Sequence, residues 1–293
     1  MTKEKGRDMR VVIGVDWSDQ AFAAVTQTFQ LYRPTDVTLV HGIDLGILEH
    51  PVVAQAGDLQ GYDDFRNAMI DSGRQLLDRT ADMIPSEIEL IRKVNEIGSP
   101  AQLVLDSAEN LSADLIVVGV RGRSRLSEAV LGSVSHRVLL HGSRPILIVR
   151  GAARKVQRVL VAIEDRDDAG RIVNWLTHHP FAVPTELCVL HALVPVGVSD
   201  PYDALGTGAW WEGAERYAEE LVKSTAGKLL NAHYTITTKV AMGNPAAVIE
   251  EEAKDMDLVV VASHGRKGIS RFLLGSVSHT VVHHVTCPVL VLR

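Results

Sequence analysis

The hexapeptide Leu131-Gly-Ser-Val-Ser-His136 returns letter for letter as Leu274-Gly-Ser-Val-Ser-His279, 143 residues further along the chain. At the same offset Asp114-Leu-Ile-Val-Val-Gly119 matches Asp257-Leu-Val-Val-Val-Ala262, and Pro145-Ile-Leu-Ile-Val-Arg150 matches Pro288-Val-Leu-Val-Leu-Arg293. Upstream, Gly98-Ser-Pro-Ala101 matches Gly243-Asn-Pro-Ala246, and Val11-Val-Ile-Gly-Val-Asp16 aligns with Val159-Leu-Val-Ala-Ile-Glu164. A period this long exceeds any solenoid repeat, so whole domains are duplicated. The 293 residues divide into an expected pair of domains, 1–152 and 153–293, each long enough to bury its own core. The junction falls around residues 151–155.

Within each half, short runs of Val, Ile and Leu lack polar alternation and predict parallel strands buried on both faces. In the first half they fall at 11–15, 36–41, 87–94, 114–119 and 145–149, with helices expected at 18–31, 63–82, 100–111 and 133–141. Pro100 suits the first turn of its helix, where a missing N–H costs nothing. The second half repeats the strands at 157–163, 185–191, 233–240, 257–262 and 288–292. Parallel strands need right-handed crossovers, so the pattern predicts two tandem, doubly wound, five-stranded α/β domains. Segments 42–62 and 192–211 match each other poorly and hold Gly, Pro and aromatics. They are expected as variable loops over the carboxyl edge of the sheet, where such folds bind ligands.

The glycines after the fourth strand carry the chemistry. Gly119-Val-Arg-Gly122 is followed by nine residues and then Gly132-Ser133, which opens a helix. Glycine lets backbone approach a ligand with no Cβ in the way, and Ser133 can cap the helix while offering a hydroxyl. The N–H groups of residues 133–135 and the positive end of the helix dipole favour a bound anion. Arg121, Arg123 and Arg125 add positive charge beside them. The same glycines, taken alone, equally suit a plain strand–turn–helix connection with an ordinary Ser cap.

The spacing G-x2-G-x9-G-S, a first strand ending in Gly-Val-Asp-Trp-Ser and a second ending in Leu-Val-His-Gly resemble the universal stress protein family, in both halves and over nearly the whole chain. The resemblance implies its tandem type: two adenine nucleotide alpha hydrolase-like domains whose last strands pair as a pseudo-dimer. From its ATP-binding branch it implies that Val15, Asp16 and Gly42 meet the nucleoside. Gly119, Gly122, Arg123, Gly132, Ser133, Val134 and Ser135 would hold the phosphates. The counterparts in the second half are Ile163, Glu164, Ala192, Gly265, Gly275, Ser276, Val277 and Ser278. Three departures there (Ala262 for Gly119, Glu164 for Asp16, Arg166 for Ser18) predict weaker or altered binding, although Arg266, Lys267 and Arg271 keep positive charge in its loop. The implied ligand is ATP, ADP or AMP, with Mg²⁺ sharing the phosphate charge.

Other features narrow the function further. A net charge of −6 argues against a general nucleic-acid or anionic-membrane binder. Residues 1–10 carry no apolar stretch of a signal peptide, and no apolar run approaches a membrane span. The two cysteines, Cys188 and Cys287, are expected as buried free thiols in a reducing cytoplasm. Twelve histidines include His279 and His283, four apart on one helix face. Without zinc-type spacing or HExxH they are expected at the helix surface or an interface rather than on a metal. His41 and His191 end the second strands and are expected as buried, hydrogen-bonded residues. Gly227-Lys228 lacks the surroundings of a Walker A loop. Gly206-Thr-Gly-Ala-Trp-Trp211 follows no strand, and Trp210 and Trp211 are expected to seal the loop or meet a partner. No GxSxG elbow and no nucleophile–base pair are present. The expectation is a cytoplasmic stress-response protein that binds an adenine nucleotide as a regulatory ligand, meets a protein partner and can form a homodimer. Slow ATP hydrolysis or autophosphorylation, and an interaction module with a vestigial pocket, are the alternatives.

Overall fold

A computed structural model describes residues 8–46, 59–120, 131–195, 204–231, 233–263 and 274–293. The chain divides into two compact units, Met1–Ala153 and Arg154–Arg293.

The first unit runs β1 (Arg10–Gly14), α1 (Asp19–Leu31), β2 (Asp36–Ile43), α2 (Leu59–Ala81), β3 (Leu90–Ile97), α3 (Pro100–Asn110), β4 (Leu115–Gly119), α4 (Ser133–His141) and β5 (Ile146–Val149). Its strands lie in the order β3-β2-β1-β4-β5, all parallel. The order reverses between β1 and β4, which opens a crevice at their carboxyl ends. The second unit repeats the plan with β6 (Arg158–Ala162), α5 (Arg166–His178), β7 (Thr185–Leu193), α6 (Ala204–Leu229), β8 (Tyr234–Met242), α7 (Pro245–Glu252), β9 (Leu258–Ala262), α8 (Ser276–His284) and β10 (Val289–Leu292). Its order is β8-β7-β6-β9-β10, again all parallel. The expected doubly wound plan is present in both halves. No helix among the described residues is long and apolar enough to cross a membrane.

The central strands show why their sequences lack alternation. Val11, Val12 and Ile13 in β1 and Leu115, Ile116, Val117 and Val118 in β4 are all buried, because helices cover both faces. The edge strand β3 carries charge instead: Arg92 pairs with Asp36 at 2.6 Å and Lys93 with Asp78 at 2.7 Å. Such charge discourages pairing with another chain.

The repeated Gly-x-Pro motif sets the entry of α3 and of α7. Gly98 and Gly243 have φ of +156° and +146°, the left-handed side that side chains avoid. Pro100 and Pro245 then occupy the first turn, as expected, and Asn244 caps α7 by accepting from Ala246 N at 3.0 Å.

Two expectations are corrected. Residues 204–211 belong to α6 rather than to a loop, so Trp211 sits on a helix and is half-buried. Gly206 and Gly208 lie in that helix as well. Cys287 is buried, but Cys188, on β7, is only half-buried; neither is in a disulfide. Of the rest of the two expected loops, residues 42–43 and 192–193 end β2 and β7 and 59–62 open α2, while 47–58 and 196–203 lie outside the described residues.

Tyr234 ties the end of α5 to β8. Its hydroxyl donates to Leu176 O at 3.1 Å and accepts from Phe181 N at 3.2 Å, and the residue is 3% exposed. Burial pushes the phenol up to about 12. Its folded value lies above the unfolded one, so its contribution is complete below pH ~10 and is lost as pH rises toward ~12. Ultraviolet titration of the five tyrosines should include a phenolate that forms only as pH approaches ~12. Tyr234→Phe should abolish that late step and cost about 1–3 kcal/mol of unfolding free energy, by stranding a buried N–H and a carbonyl.

Candidate functional site

At the switch point of the first unit lies a cavity of about 340 Å³. That is within the roughly 300–1,000 Å³ range of small-molecule sites. It is lined by Gly14, Val15 and Asp16 after β1, by His41 and Gly42 of β2, by Gly119 of β4 and by residues 132–135 entering α4. Val15, Asp16, Gly42, Gly119, Gly132, Ser133, Val134 and Ser135, scattered over 121 positions of sequence, therefore meet in one space. Gly122 and Arg123 lie outside the described residues, as do Arg121 and Arg125.

The wall below β1 is held by backbone. Val15 N donates to Val40 O at 2.9 Å, and His41 Nδ1 donates to Val15 O at 2.9 Å. Residue 15 is thereby fixed on both sides just past the end of its strand. Val40 faces β1, so by the alternation of a strand the N–H and C=O of Gly42 turn the same way, to where β1 has ended. A donor and an acceptor on adjacent positions of one edge suit a planar heterocycle. A Cβ on Gly42 would stand 2.5 Å from Pro100 Cα, so glycine is what lets α3 close that side.

Asp16 organises the turn into α1. Its Oδ1 accepts from Ser18 N at 3.0 Å and from the Ser18 hydroxyl, and Ser18 Oγ accepts in turn from Ala21 N at 3.2 Å as the N-cap. Trp17 Nε1 donates to Ser72 Oγ at 3.1 Å and so anchors α2 over the same turn.

The opposite end is shaped for an anion. The N-cap of α4 is Gly132, with φ −66° and ψ 159°, and Ser133 is the first residue inside the helix. The expected Ser133 cap is thus corrected: its hydroxyl makes no capping bond. The first N–H groups of a helix have no intrahelical acceptor, so residues 133–135 present theirs to the cavity. The Ser135 hydroxyl is engaged with Gly119 O, and Gly132 N with Val120 O, which seats the helix start on the end of β4. A Cβ on Gly119 would lie 2.7 Å from Gln20 O, so glycine there lets α1 lie close to the end of β4.

The second unit keeps the scaffold. Ile163 N donates to Leu190 O at 3.0 Å, His191 Nδ1 to Ile163 O at 3.1 Å, and Ser278 Oγ to Ala262 O at 2.9 Å. Its cavity is only about 80 Å³, lined by Ile163, Glu164, Asp168, Ala192, Ala262, Val277 and Ser278 among others. Gly275 caps α8 and Ser276 begins it, but neither lines that cavity. Gly265, Arg266, Lys267 and Arg271 lie outside the described residues. The expected Arg166-for-Ser18 replacement is corrected: the cap of α5 is Asp165, which accepts from Asp167 N and Asp168 N at 2.9 Å each. The turn after β6 is one residue shorter than the turn after β1.

His41 and His191 hold backbone, as expected; His191 is buried as expected, but His41 is only half-buried. His279 and His283 stack with ring centroids 4.4 Å apart on one face of α8. Gly14, Ala21, Pro100 and Val104 line the first cavity without having been singled out in the sequence. The Gly98-Ser-Pro motif and its repeat were the available signal for Pro100.

Comparison with known proteins agrees with the duplicated plan. The family model described as Universal stress protein family matches residues 9–150 and again 155–293. The chain is 29% identical over 295 residues to a universal stress protein of Mycolicibacterium smegmatis, covering 97% of this chain and 96% of that one. It is 28% identical over 296 residues to one from Mycobacterium tuberculosis, with the same coverage. The crystal structure of a universal stress protein from Archaeoglobus fulgidus shares the fold, with a TM-score of 0.64 at 19% identity over 97% of this chain and 96% of that one. Matched twice over its length, the chain belongs to the universal stress protein family.

Proposed function

We propose that the first domain binds an adenine nucleotide, ATP or a close relative, and that the bound ligand regulates which surface the protein offers to a partner. The observation that carries this reading is a cavity of about 340 Å³ with a polar backbone edge at Gly42 and a helix N-terminus at residues 132–135. One end suits a base and the other suits phosphate. Val15 and Asp16 line the space between, next to where a ribose would lie. A Mg²⁺ ion carried with a triphosphate would share its charge. Binding by glycines and backbone is tolerant of phosphate number, so ADP and AMP belong to the same reading.

A regulatory role is favoured over turnover by what Asp16 does. Its Oδ1 is committed to Ser18, so this carboxylate orients a turn rather than a water. Phosphoryl transfer needs such an orienting group in line with the phosphate. A ligand of this kind shifts a conformational equilibrium only if it binds the two states unequally. Free cysteines and a nucleotide ligand both suit the cytoplasm, and a protein partner or a second copy of the chain would read the change.

Saturating ATP should raise the unfolding midpoint; at about 100 times its Kd the added stability is about 2.7 kcal/mol. An unmoved midpoint at millimolar ATP contradicts the reading. Ser133→Pro isolates the phosphate end. Proline is tolerated at the first helical position, and the extended Gly132 is the conformation that precedes proline readily. The variant should keep its own midpoint and its affinity for adenosine, yet bind ATP about tenfold more weakly, because a charge-assisted donor is gone. Equal losses for adenosine and ATP would place the phosphates elsewhere.

A further inference from the structure

The two domains share their strand order, their His-to-backbone bond and their serine seat for the last helix, yet their cavities differ fourfold in volume. The difference is concentrated in a few side chains. Gly14 and Ala162 are the last residues of β1 and β6. Gly42 and Ala192 each follow the histidine that bonds Val15 O or Ile163 O. Gly119 and Ala262 each offer the carbonyl that accepts from Ser135 or Ser278. All three glycines line the first cavity and all three alanines line the second. Three further lining positions grow by a methylene, from Val15, Val40 and Val104 to Ile163, Leu190 and Ile249. The volume falls from about 340 Å³ to about 80 Å³, below the ~300 Å³ at which small-molecule sites begin.

Charge changes in the same place. Because the turn after β6 is one residue shorter, counting from the helix N-caps at Ser18 and Asp165 puts Asp168 where the first domain has Ala21. Both residues line their cavities and both are 4% exposed. The Asp168 carboxylate is held there by Glu164 N, 3.3 Å from Oδ2, and by Arg171 Nη1, 3.8 Å from Oδ1. A buried negative group is screened little by salt and opposes a second negative group beside it.

We infer that this chain carries one nucleotide site, in its first domain, and that Ala162, Ala192, Ala262 and Asp168 make the second domain blind to nucleotide. The larger lining leaves less volume than a nucleoside needs, and the Asp168 carboxylate adds a negative group at that lining, which opposes phosphate. Discrimination of this kind works by steric and charge conflict rather than by lost attraction. This inference rests on the reading of the first cavity as a nucleotide site.

Equilibrium dialysis of the full chain against labelled ATP counts the sites, and one per chain is expected. Two sites with Kd values within tenfold overturn the inference. No site at all is a different failure, that of the first-domain reading. Carrying the second lining across where only side chains must give, as Gly14→Ala with Ala21→Asp, should weaken the single site at least tenfold in a chain that remains folded by circular dichroism. Affinity within threefold of the original overturns the assignment of those positions. In the converse variant, Ala162→Gly, Ala192→Gly, Ala262→Gly and Asp168→Ala together, a second site should appear. A folded variant that still takes one ATP overturns the assignment.

Discussion

The carboxyl edge of each sheet is governed by how closely one stretch of backbone approaches another where the strand order reverses. At Gly119 the approach is tight enough that a Cβ would lie 2.7 Å from Gln20 O, and at Gly42 it would lie 2.5 Å from Pro100 Cα. Those contacts let α1 and α3 close on the sheet while a space remains at its end. Asp16, Ser18 and His41 then fix the turns around that space, each through at least one bond to a backbone group. Around the cavity stand the backbone of Gly42 and the start of α4 at residues 132–135.

The duplication separates scaffold from site. Bonds that hold the edge together recur in both domains: strand two to the residue after strand one, histidine to the same residue, serine to the end of strand four. Several residues that shape the empty volume do not recur, among them Gly14, Val15, Gly42, Val104 and Gly119. A duplicated domain that had merely lost its function would be expected to lose scaffold and lining alike. Here the second core is as completely packed, with Val159, Leu160, Val161, Leu258, Val259 and Val260 all buried, while only the lining has grown.

Most of the fold was legible because parallel strands buried on both faces leave uninterrupted apolar runs, and because the repeat supplied each element twice. The failures have physical causes. Helix α6 was missed over its first turns because Gly206, Gly208 and Gly213 argue against a helix, whereas the helix is held further along by Ala218, Leu221, Val222, Thr225 and Leu229, buried at helical spacing. Strand β3 was expected at 87–94 and runs Leu90–Ile97, because an edge strand takes its limits from its partner's register rather than from its own pattern. Ser133 looked like a cap because it has the right chemistry, but Gly132 already has the extended backbone a cap needs. The site glycines could be read from spacing; the narrowing of the second cavity could not, since Ala162, Ala192, Ile249 and Ala262 come to line one space only through the fold.

Hydrogen–deuterium exchange of the full chain, with and without ATP, tests the central claim without altering a residue. Nucleotide in the first cavity should slow exchange in peptides covering residues 15–18, 41–44 and 132–136, and leave the equivalent peptides at 163–166, 191–194 and 275–279 unchanged. Protection confined to the second set, or absent from both at saturating ATP, would contradict it.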